Sequence, residues 1–338
     1  MNLSKNNLMI RNALPSDAEL LCAWWNDGVI MAHAGFPNGL GDTPERIRES
    51  LSGDSDTTHR RHIIELDGKP IGEMNYRNKG EQTAEIGIKI CDAAEREKGY
   101  GTTLLSLFME ELFLRYDYEK IILDTHVKNA RAQHVYEHKL GFRRLGVREN
   151  SWRDQLGEWQ SSIDYELTKS DWLGKTSGLV PFDKDNAEQT EMFLRLLTDY
   201  FSVLTYNDPK DRTLPRHIPQ ILDAILKGFS SQNFWVYFYR YGSNMVGFII
   251  AQIDSPDKDW CKRPGSGCIR EIYIAPEHRR KGFARELVVA AEKDISQNGA
   301  AQVYVTTDEA ADFWESLGYW FSGEHCAVNG GEIYIKDV

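Results

Sequence analysis

Residues 96–101 read R-E-K-G-Y-G and residues 279–284 read R-R-K-G-F-A. Each stretch follows a strand-like run, T-A-E-I-G-I-K-I at 83–90 or C-I-R-E-I-Y-I at 268–274, and precedes a run with helical spacing of apolar residues. A strand that turns through glycine into a helix presents the free N–H groups of the helix start. Those groups and the helix dipole form a site for phosphate oxygens. Gly99 and Gly101 let a ligand approach the backbone without a Cβ clash, and Arg96 and Arg279 can add charge-assisted contacts. A single G-x-G is as readily a tight turn. Here the pattern R-x-x-G-x-(G/A) occurs twice, at the same kind of junction.

The elements around the two stretches run in the same order. In the first half a strand at Leu8–Ile10 leads to a helix start at Ser16 with Glu19 as its capping-box partner. Thr43-Pro44 reads as a second helix start, with proline at the first helical position. R-H-I-I-E-L and P-I-G-E-M-N-Y-R flank Asp67-Gly68, a hairpin turn. After the glycine stretch come the helix T-T-L-L-S-L-F-M-E-E-L-F, the strand K-I-I-L-D-T, and the helix A-R-A-Q-H-V-Y-E-H-K-L, which Gly141 ends. Strands near 142–149 and 160–168 close the half. The second half has a strand near Leu179, a helix near 186–202, and a helix beginning about Leu214. A hairpin around R-Y-G-S-N follows, then the strand before the motif, the helix F-A-R-E-L-V-V-A-A-E-K-D-I, and A-Q-V-Y-V-T, D-E-A-A-D-F-W-E-S-L and G-Y-W-F. The polar, glycine-bearing stretch 171–178 is the linker expected between domains 1–170 and 179–338. A repeat this long implies two domains of one fold, because solenoid periods are roughly 20–50 residues.

A chain of 338 residues with 41% hydrophobic residues can build two packed domains. No apolar run approaches the roughly 18–20 residues of a membrane span, and the N-terminus lacks a signal-peptide layout. Five cysteines, Cys22, Cys91, Cys261, Cys268 and Cys326, form no C-x-x-C. They read as reduced thiols of a cytoplasmic protein, and no metal site is expected. A net charge of −11 without a basic stripe argues against nucleic acid as a partner. It favours cationic partners such as amines, and it equally suits solubility alone.

Both glycine stretches are followed by an aromatic-bearing helix that ends in L-G-(F/Y): V-Y-E-H-K-L-G-F at 135–142 and F-W-E-S-L-G-Y at 313–319. With P-E-H-R-R-K-G-F-A at 276–284, this combination resembles the GNAT superfamily of acyl-CoA-dependent N-acyltransferases, in tandem over nearly the whole chain. The resemblance implies an α+β fold: in each domain a splayed, mixed, mostly antiparallel sheet flanked by helices, with acetyl-CoA in the cleft. It implies that the pyrophosphate lies on residues 96–102 (Arg96, Glu97, Lys98, Gly99, Tyr100, Gly101, Thr102). In the second domain it lies on 279–285 (Arg279, Arg280, Lys281, Gly282, Phe283, Ala284, Arg285). The pantetheine would run along the strand before each motif, at Ile88 and Ile90 or at Ile272 and Ile274. That pairing leaves a backbone N–H to polarise the thioester carbonyl.

Acetyl transfer to an amine requires the ammonium to lose a proton, a donor for the oxyanion, and a proton for the leaving thiolate. The resemblance implies Tyr136 as the thiolate proton donor and Asn129 as a cofactor contact. Two carboxylates compete as base or amine contact. Glu85 lies on a strand whose family counterpart can carry a general base, and strand alternation puts it on the face of Gly87 and Lys89. Asp124, in L-D-T-H-V-K-N, resembles the Asp that meets the substrate amine in aminoglycoside 6-prime N-acetyltransferases. L-C-A-W-W-N-D at 21–27 resembles the opening helix of those enzymes and of ribosomal-protein N-terminal acetyltransferases, which implies Trp24 and Trp25 as walls of the acceptor pocket. His33 and His126 could shuttle protons, but a lone histidine is most often structural. In the second half Trp314 and Thr307 stand in place of the tyrosine and asparagine. An indole N–H cannot serve as an acid at neutral pH. The second domain therefore either works without that acid, with Glu271 as base, or binds ligand without turnover. The function implied is acetyl transfer to a small cationic amine. The rivals are a protein N-terminal or lysine acetyltransferase and a CoA-binding regulatory or scaffold protein. A closed acceptor groove built from segment 11–60 would favour the small molecule.

Overall fold

The structure, a computed structural model, describes residues 1–206, 217–229, 233–256, 262–307, 310–327 and 330–338. Two units, Met1–Lys175 and Thr176–Val338, each fold around a sheet of their own.

In unit 1 the elements are β1 (Asn2–Lys5), β2 (Leu8–Asn12), α1 (Ala18–Trp25), α2 (Gly28–Met31), α3 (Pro44–Ser52), β3 (His59–Leu66), β4 (Lys69–Asn78) and β5 (Thr83–Ile90). They continue with α4 (Tyr100–Leu114), β6 (Lys120–His126), α5 (Ala130–His134), β7 (Arg143–Arg153), β8 (Trp159–Thr168) and α6 (Lys169–Thr176). The strands form one sheet in the order β1-β2-β3-β4-β5-β6-β8-β7, antiparallel except at β5–β6. Asp67 and Gly68 turn the β3–β4 hairpin with φ of 51° and 75°, the doubly positive pair that matches strand twist. Helix α4 buries Leu104, Leu105, Phe108, Met109, Leu112 and Phe113 in one core with Met74, Tyr76 and Ile121 of the sheet. The spacing of these six puts one apolar stripe on the sheet, and a fully buried Phe or Leu contributes about 1.5–3 kcal/mol. His62 sits in the same layer with no exposure, packed on Tyr76 and Phe108.

Unit 2 contains β9 (Gly178–Pro181), α7 (Ala187–Tyr206), α8 (Ile218–Gly228), β10 (Phe234–Tyr241), β11 (Asn244–Ile253) and β12 (Gly267–Ile274). Then come α9 (Phe283–Gln297), β13 (Gln302–Thr307), α10 (Ala311–Glu315), β14 (Trp320–His325) and β15 (Glu332–Asp337). The sheet order is β14-β15-β13-β12-β11-β10-β9, with a single parallel pairing, β12–β13. Both units are thus mixed, mostly antiparallel sheets flanked by helices.

Four local expectations change. The stretch 171–178 is not an extended linker: α6 runs to Thr176 and buries Trp172 against Phe113, so apolar burial outweighs its polar composition. Ser16 is not a helix cap. Pro15–Asp17 form a 3₁₀ turn in which Asp17 accepts the Leu14 N–H at 2.7 Å while held by Arg11. The R-Y-G-S-N turn narrows to Gly242-Ser243, because Tyr241 and Asn244 pair across the hairpin. Strand β1, at one sheet edge, and β15, between β14 and β13, were not anticipated. Leu214 lies outside the described residues, as does Cys261; the described part of the second helix begins at Ile218. Among the described residues no helix is long and apolar enough to cross a membrane, and no cluster could hold a metal ion.

Candidate functional site

Strands β5 and β6 stay paired only from Thr83–Glu85 to Lys120–Ile122. Beyond that point β5 continues with β4 and β6 with β8. The parting leaves one edge of Ile86–Ile90 without a neighbouring strand and opens a cavity of about 1110 Å³. Residues 86–90, the loop 95–97 with 99–102, the end of β6 at Asp124–His126, and residues 128–132 with Val135 and Tyr136 line it, together with Ile30, His33, Ala34, Trp152 and Ser162.

The glycine loop has one geometry in both units. Gly99 has φ 84° and ψ −6°, and Gly282 has φ 87° and ψ −6°. Two positions earlier, Glu97 and Arg280 also adopt positive φ, 65° and 61°. No heavy atom lies within 4 Å of where a Cβ on Gly99, Gly101 or Gly282 would stand. Those glycines therefore serve backbone conformation and access, since no packing forbids a side chain. The amides of Lys98, Gly99, Tyr100 and Gly101 have no backbone acceptor among the described residues. An open loop with free amides at a 15-residue helix start fits the pyrophosphate of acetyl-CoA.

Arg96, which lines the cavity, and Arg279 also brace their loops. Arg96 Nε donates to the Ile90 carbonyl at 3.0 Å, and Arg279 Nε donates to the Ile274 carbonyl at 2.9 Å. Each guanidinium ties its loop to the end of the preceding strand. Lys98 pairs with Glu95 at 2.9 Å and is not on the cavity wall, whereas Glu97 is on it and meets Arg131 at 3.1 Å. Ile88, Ile90, Tyr100, Gly101 and Thr102 line the cavity as the resemblance implies.

Tyr136 reaches the cavity from a widened, π-helical turn, Val135–Leu140, that ends at Gly141 with φ 79°. Its ring packs on Phe142 and Tyr165. Burial, with Asp124 nearby, pushes its phenol up to about 12, so the hydroxyl keeps its proton at neutral pH. Asp124, at the end of β6, is also on the wall. Burial raises its carboxyl above the usual aspartate range, against the pull of Arg148 at 2.6 Å. Asn129, also on the wall, caps α5: its Oδ1 accepts the Ala132 N–H at 3.2 Å.

Glu85 is not part of this wall. It lies below the parting of the strands, over a third exposed, 3.6 Å from Lys79. Trp24 and Trp25 are not on the wall either. They pack with the small core of Leu21, Ile47 and Leu51. Trp25 Nε1 donates to Glu73, which in turn holds the cavity-lining Lys89 at 3.2 Å, so Trp25 acts one layer behind.

The acceptor side carries His33 and His126 beside residues that the sequence did not single out. Helix α2 supplies Ile30 and the turn after it His33 and Ala34, and the β7–β8 hairpin clamps the following loop down. Gln155 N donates to Gly35 O at 2.8 Å, Gln155 Nε2 donates to Gly39 O at 2.9 Å, and Asn38 N donates to Gln155 Oε1 at 2.8 Å. Trp152 lies against Gly35 and donates to Ser162 Oγ at 3.2 Å. His126 accepts the Lys128 N–H at Nδ1 and meets Gln160 at Nε2, 2.7 Å, so both ring nitrogens are engaged. The run G-F-P-N-G-L-G-D at 35–42 signals a loop, but nothing in it signals a partner more than 110 residues away.

Unit 2 repeats the parting of strands: β12 and β13 pair only at Gly267–Val303 and Cys268–Tyr304. Thr307 Oγ1, at the end of β13, accepts the Ala310 N–H at 3.1 Å, and it has no amide group to offer. Trp314 is 2% exposed and packed on Phe313 and Tyr319. Phe283 stacks on Tyr239, Lys281 lies over Tyr241, and Arg285 donates to the Ser316 carbonyl. Arg280 and Ala284 flank the glycine turn; Ile272 is partly buried and Ile274 buried on β12. Glu271 accepts the Tyr200 hydroxyl from α7, and burial raises its carboxyl.

Comparison with known proteins agrees with this geometry. The Acetyltransferase (GNAT) domain family matches residues 7–143, and the Acetyltransferase (GNAT) family matches residues 191–319. Aminoglycoside N(6')-acetyltransferase type 1 of Klebsiella pneumoniae and that of Serratia marcescens are each 28% identical over 159 residues, 43% of this chain and 78% of the relative, in the N-terminal half. Among solved structures, spermidine N-acetyltransferase from Vibrio cholerae in complex with CoA and spermine is 24% identical, covering 50% of this chain and 99% of that one with a TM-score of 0.45. A ribosomal L7/L12 alpha-N-protein acetyltransferase in complex with coenzyme A is 15% identical, covering 51% and 99%, with a TM-score of 0.46. The chain belongs to the GNAT acetyltransferases and carries two such domains in tandem.

Proposed function

We propose that this tandem GNAT N-acetyltransferase acetylates the amine of a small cationic acceptor, and that unit 1 is its working centre. Acetyl-CoA supplies the acetyl group as a thioester. The Lys98–Gly101 amides and the open edge of Ile86–Ile90 hold it. Tyr136 keeps a proton on its hydroxyl, available to the leaving sulfur, and Asn129 offers its NH2 from the neighbouring turn. Asp124 attracts the ammonium and, with its raised affinity for protons, can take one from it. Glu85 is the weaker base candidate, since Lys79 holds it off the wall. Trp24 and Trp25 support the site from behind it.

The observation that carries this reading is the clamped loop over the acceptor side. Gln155 and Trp152 hold residues 30–39 down on the same cavity that contains Asp124 and Tyr136. An extended peptide would need that loop to lift, whereas a compact amine does not. The similarity to aminoglycoside N(6')-acetyltransferases points to the same acceptor class.

Unit 2 keeps the loop geometry but has no hydroxyl in the place of Tyr136. We infer that it binds acetyl-CoA at Lys281–Ala284 with little or no turnover; Glu271, bonded to Tyr200, is the base if it turns over. Incubating the full chain with acetyl-CoA and matched sets of small amines and peptide N-termini, with products identified by mass, tests the reading. Acetylation of small dibasic or polybasic amines is the expected result. Acetylation confined to peptides would replace this reading with protein acetylation.

A further inference from the structure

Three neighbouring strands gather a charge cluster, of which Asp124 lines the cavity. Asp124 on β6 stands opposite Asp164 on β8, and Arg148 reaches over from β7, where its own register partner is Ser162. The Arg148 Nε donates to both Asp164 oxygens, at 3.0 and 2.8 Å, and its terminal nitrogen donates to Asp124 at 2.6 Å. Glu85 adds a third negative charge close enough to act on Asp124.

These groups are not sealed in. The Arg148 and Asp124 side chains are 51% and 52% exposed, and β7 is exposed from Arg143 to Ser151. The fold therefore does not need the guanidinium for packing. Ion pairs this exposed are weak enough for a bound ligand to exchange them. The guanidinium also stands where a cation from solvent would be held, between two carboxylates beside the acceptor cavity.

The chemistry adds a condition. A nitrogen that attacks an acetyl group must first be neutral, so it cannot remain as the partner of these carboxylates. A charge that replaces Arg148 must sit on a second nitrogen of the acceptor.

We propose that Arg148 is a specificity-determining residue, a resident counter-ion that the non-reacting ammonium of a dibasic acceptor displaces from Asp164, which leaves Asp124 to the reacting nitrogen. This rests on the reading of unit 1 as an amine acetyltransferase. Removing the guanidinium frees the subsite, so the affinity for a dibasic acceptor rises. A residue that merely braced Asp124 for binding would give the opposite sign.

The test compares the full chain with Arg148→Met and Arg148→Lys, using 1,4-diaminobutane and butylamine as acceptors at saturating acetyl-CoA. Freeing one or two exposed pairs corresponds to about a five- to tenfold fall in KM for the diamine in Arg148→Met. KM for butylamine should fall less than KM for the diamine, and KM for acetyl-CoA should hold. Arg148→Lys should resemble the wild type. Calorimetric titration of 1,4-diaminobutane into the wild type and Arg148→Met reads the same subsite without turnover. It separates this inference from the parent reading: if neither amine is acetylated, the parent reading fails while the titration still decides the subsite. Tighter diamine binding in Arg148→Met supports the proposal. Equal or weaker binding, or no measurable binding by either protein, overturns it.

Discussion

Gly35 lies directly against Trp152: a Cβ built on Gly35 would come within 2.2 Å of the indole ring, and the backbone there has φ 90°. Only glycine allows the loop over the cavity to rest on that ring. Gly35→Ala should therefore combine left-handed backbone strain of about 1 kcal/mol with a lifted loop. We expect a Tm lowered by about 2–4 °C for each kcal/mol lost, and a several-fold higher KM for small amines with little change in acetyl-CoA affinity. Unchanged amine kinetics would show that the loop does not shape the acceptor site.

Asp124 binds protons more tightly than an ordinary aspartate because partial desolvation in the cleft, with Asp164 and Glu85 close by, disfavours its charge. As pH falls through that raised value, the carboxylate is neutralised and its attraction for a cation is lost. The acid limb of kcat/KM for the amine should thus lie above the usual aspartate value of about 4. Asp124→Asn should abolish that limb and raise the amine KM more than it alters acetyl-CoA binding. It should also weaken the response to salt, since one charge of the attraction is gone. A limb that survives in Asp124→Asn would assign the titration elsewhere.

His62 makes unit 1 sensitive to acid. Burial drives its imidazole down to about 3, so it stays neutral when folded. An unfolded histidine takes up a proton near pH 6.5. The stabilisation is therefore complete above pH 6.5 and drains away as pH falls toward 3. The loss approaches about 1.4 kcal/mol per pH unit once the unfolded form is fully protonated. His62→Phe, which can still pack on Tyr76 and Phe108, should remove this one-proton slope. Melting of both proteins from pH 4.5 to 7 checks it: parallel curves would contradict the assignment.

What could be read from the chain was mostly what local residues decide. The turn at Asp67-Gly68, the Thr43 cap before Pro44, the Gly141 helix end and the paired glycine loops depend on a few adjacent residues. Ser16 failed because Arg11, from the neighbouring strand, made Asp17 the better-held carboxylate. The stretch 171–178 does hold the boundary between the units, but it is largely helical because one buried tryptophan outweighs its polar composition. Trp24, Trp25 and Glu85 were placed on the right elements but not on the cavity, since sequence spacing does not fix which way a helix or a parting strand faces. Gln155, Trp152 and Arg148 reach their partners only after the sheet has formed, and no periodicity marks them.

The two glycine loops predict their own disruption. Glutamate at Gly99 or Gly282 would bring a like charge to a phosphate site and force a side chain onto a backbone with φ near 85°. Titration of acetyl-CoA should lose one site in Gly99→Glu and, if unit 2 binds ligand, another in Gly282→Glu. A stoichiometry unchanged in both variants would reject the phosphate-loop assignment.

Turnover by Tyr136→Phe in the full chain tests the assignment of the working centre most directly. The ring and its packing on Phe142 and Tyr165 remain, and only the hydroxyl goes. General acid–base groups contribute roughly 10²–10⁴-fold, so kcat should fall by about that factor while acetyl-CoA affinity barely moves. Near-normal turnover would contradict the account and make unit 2 the working centre.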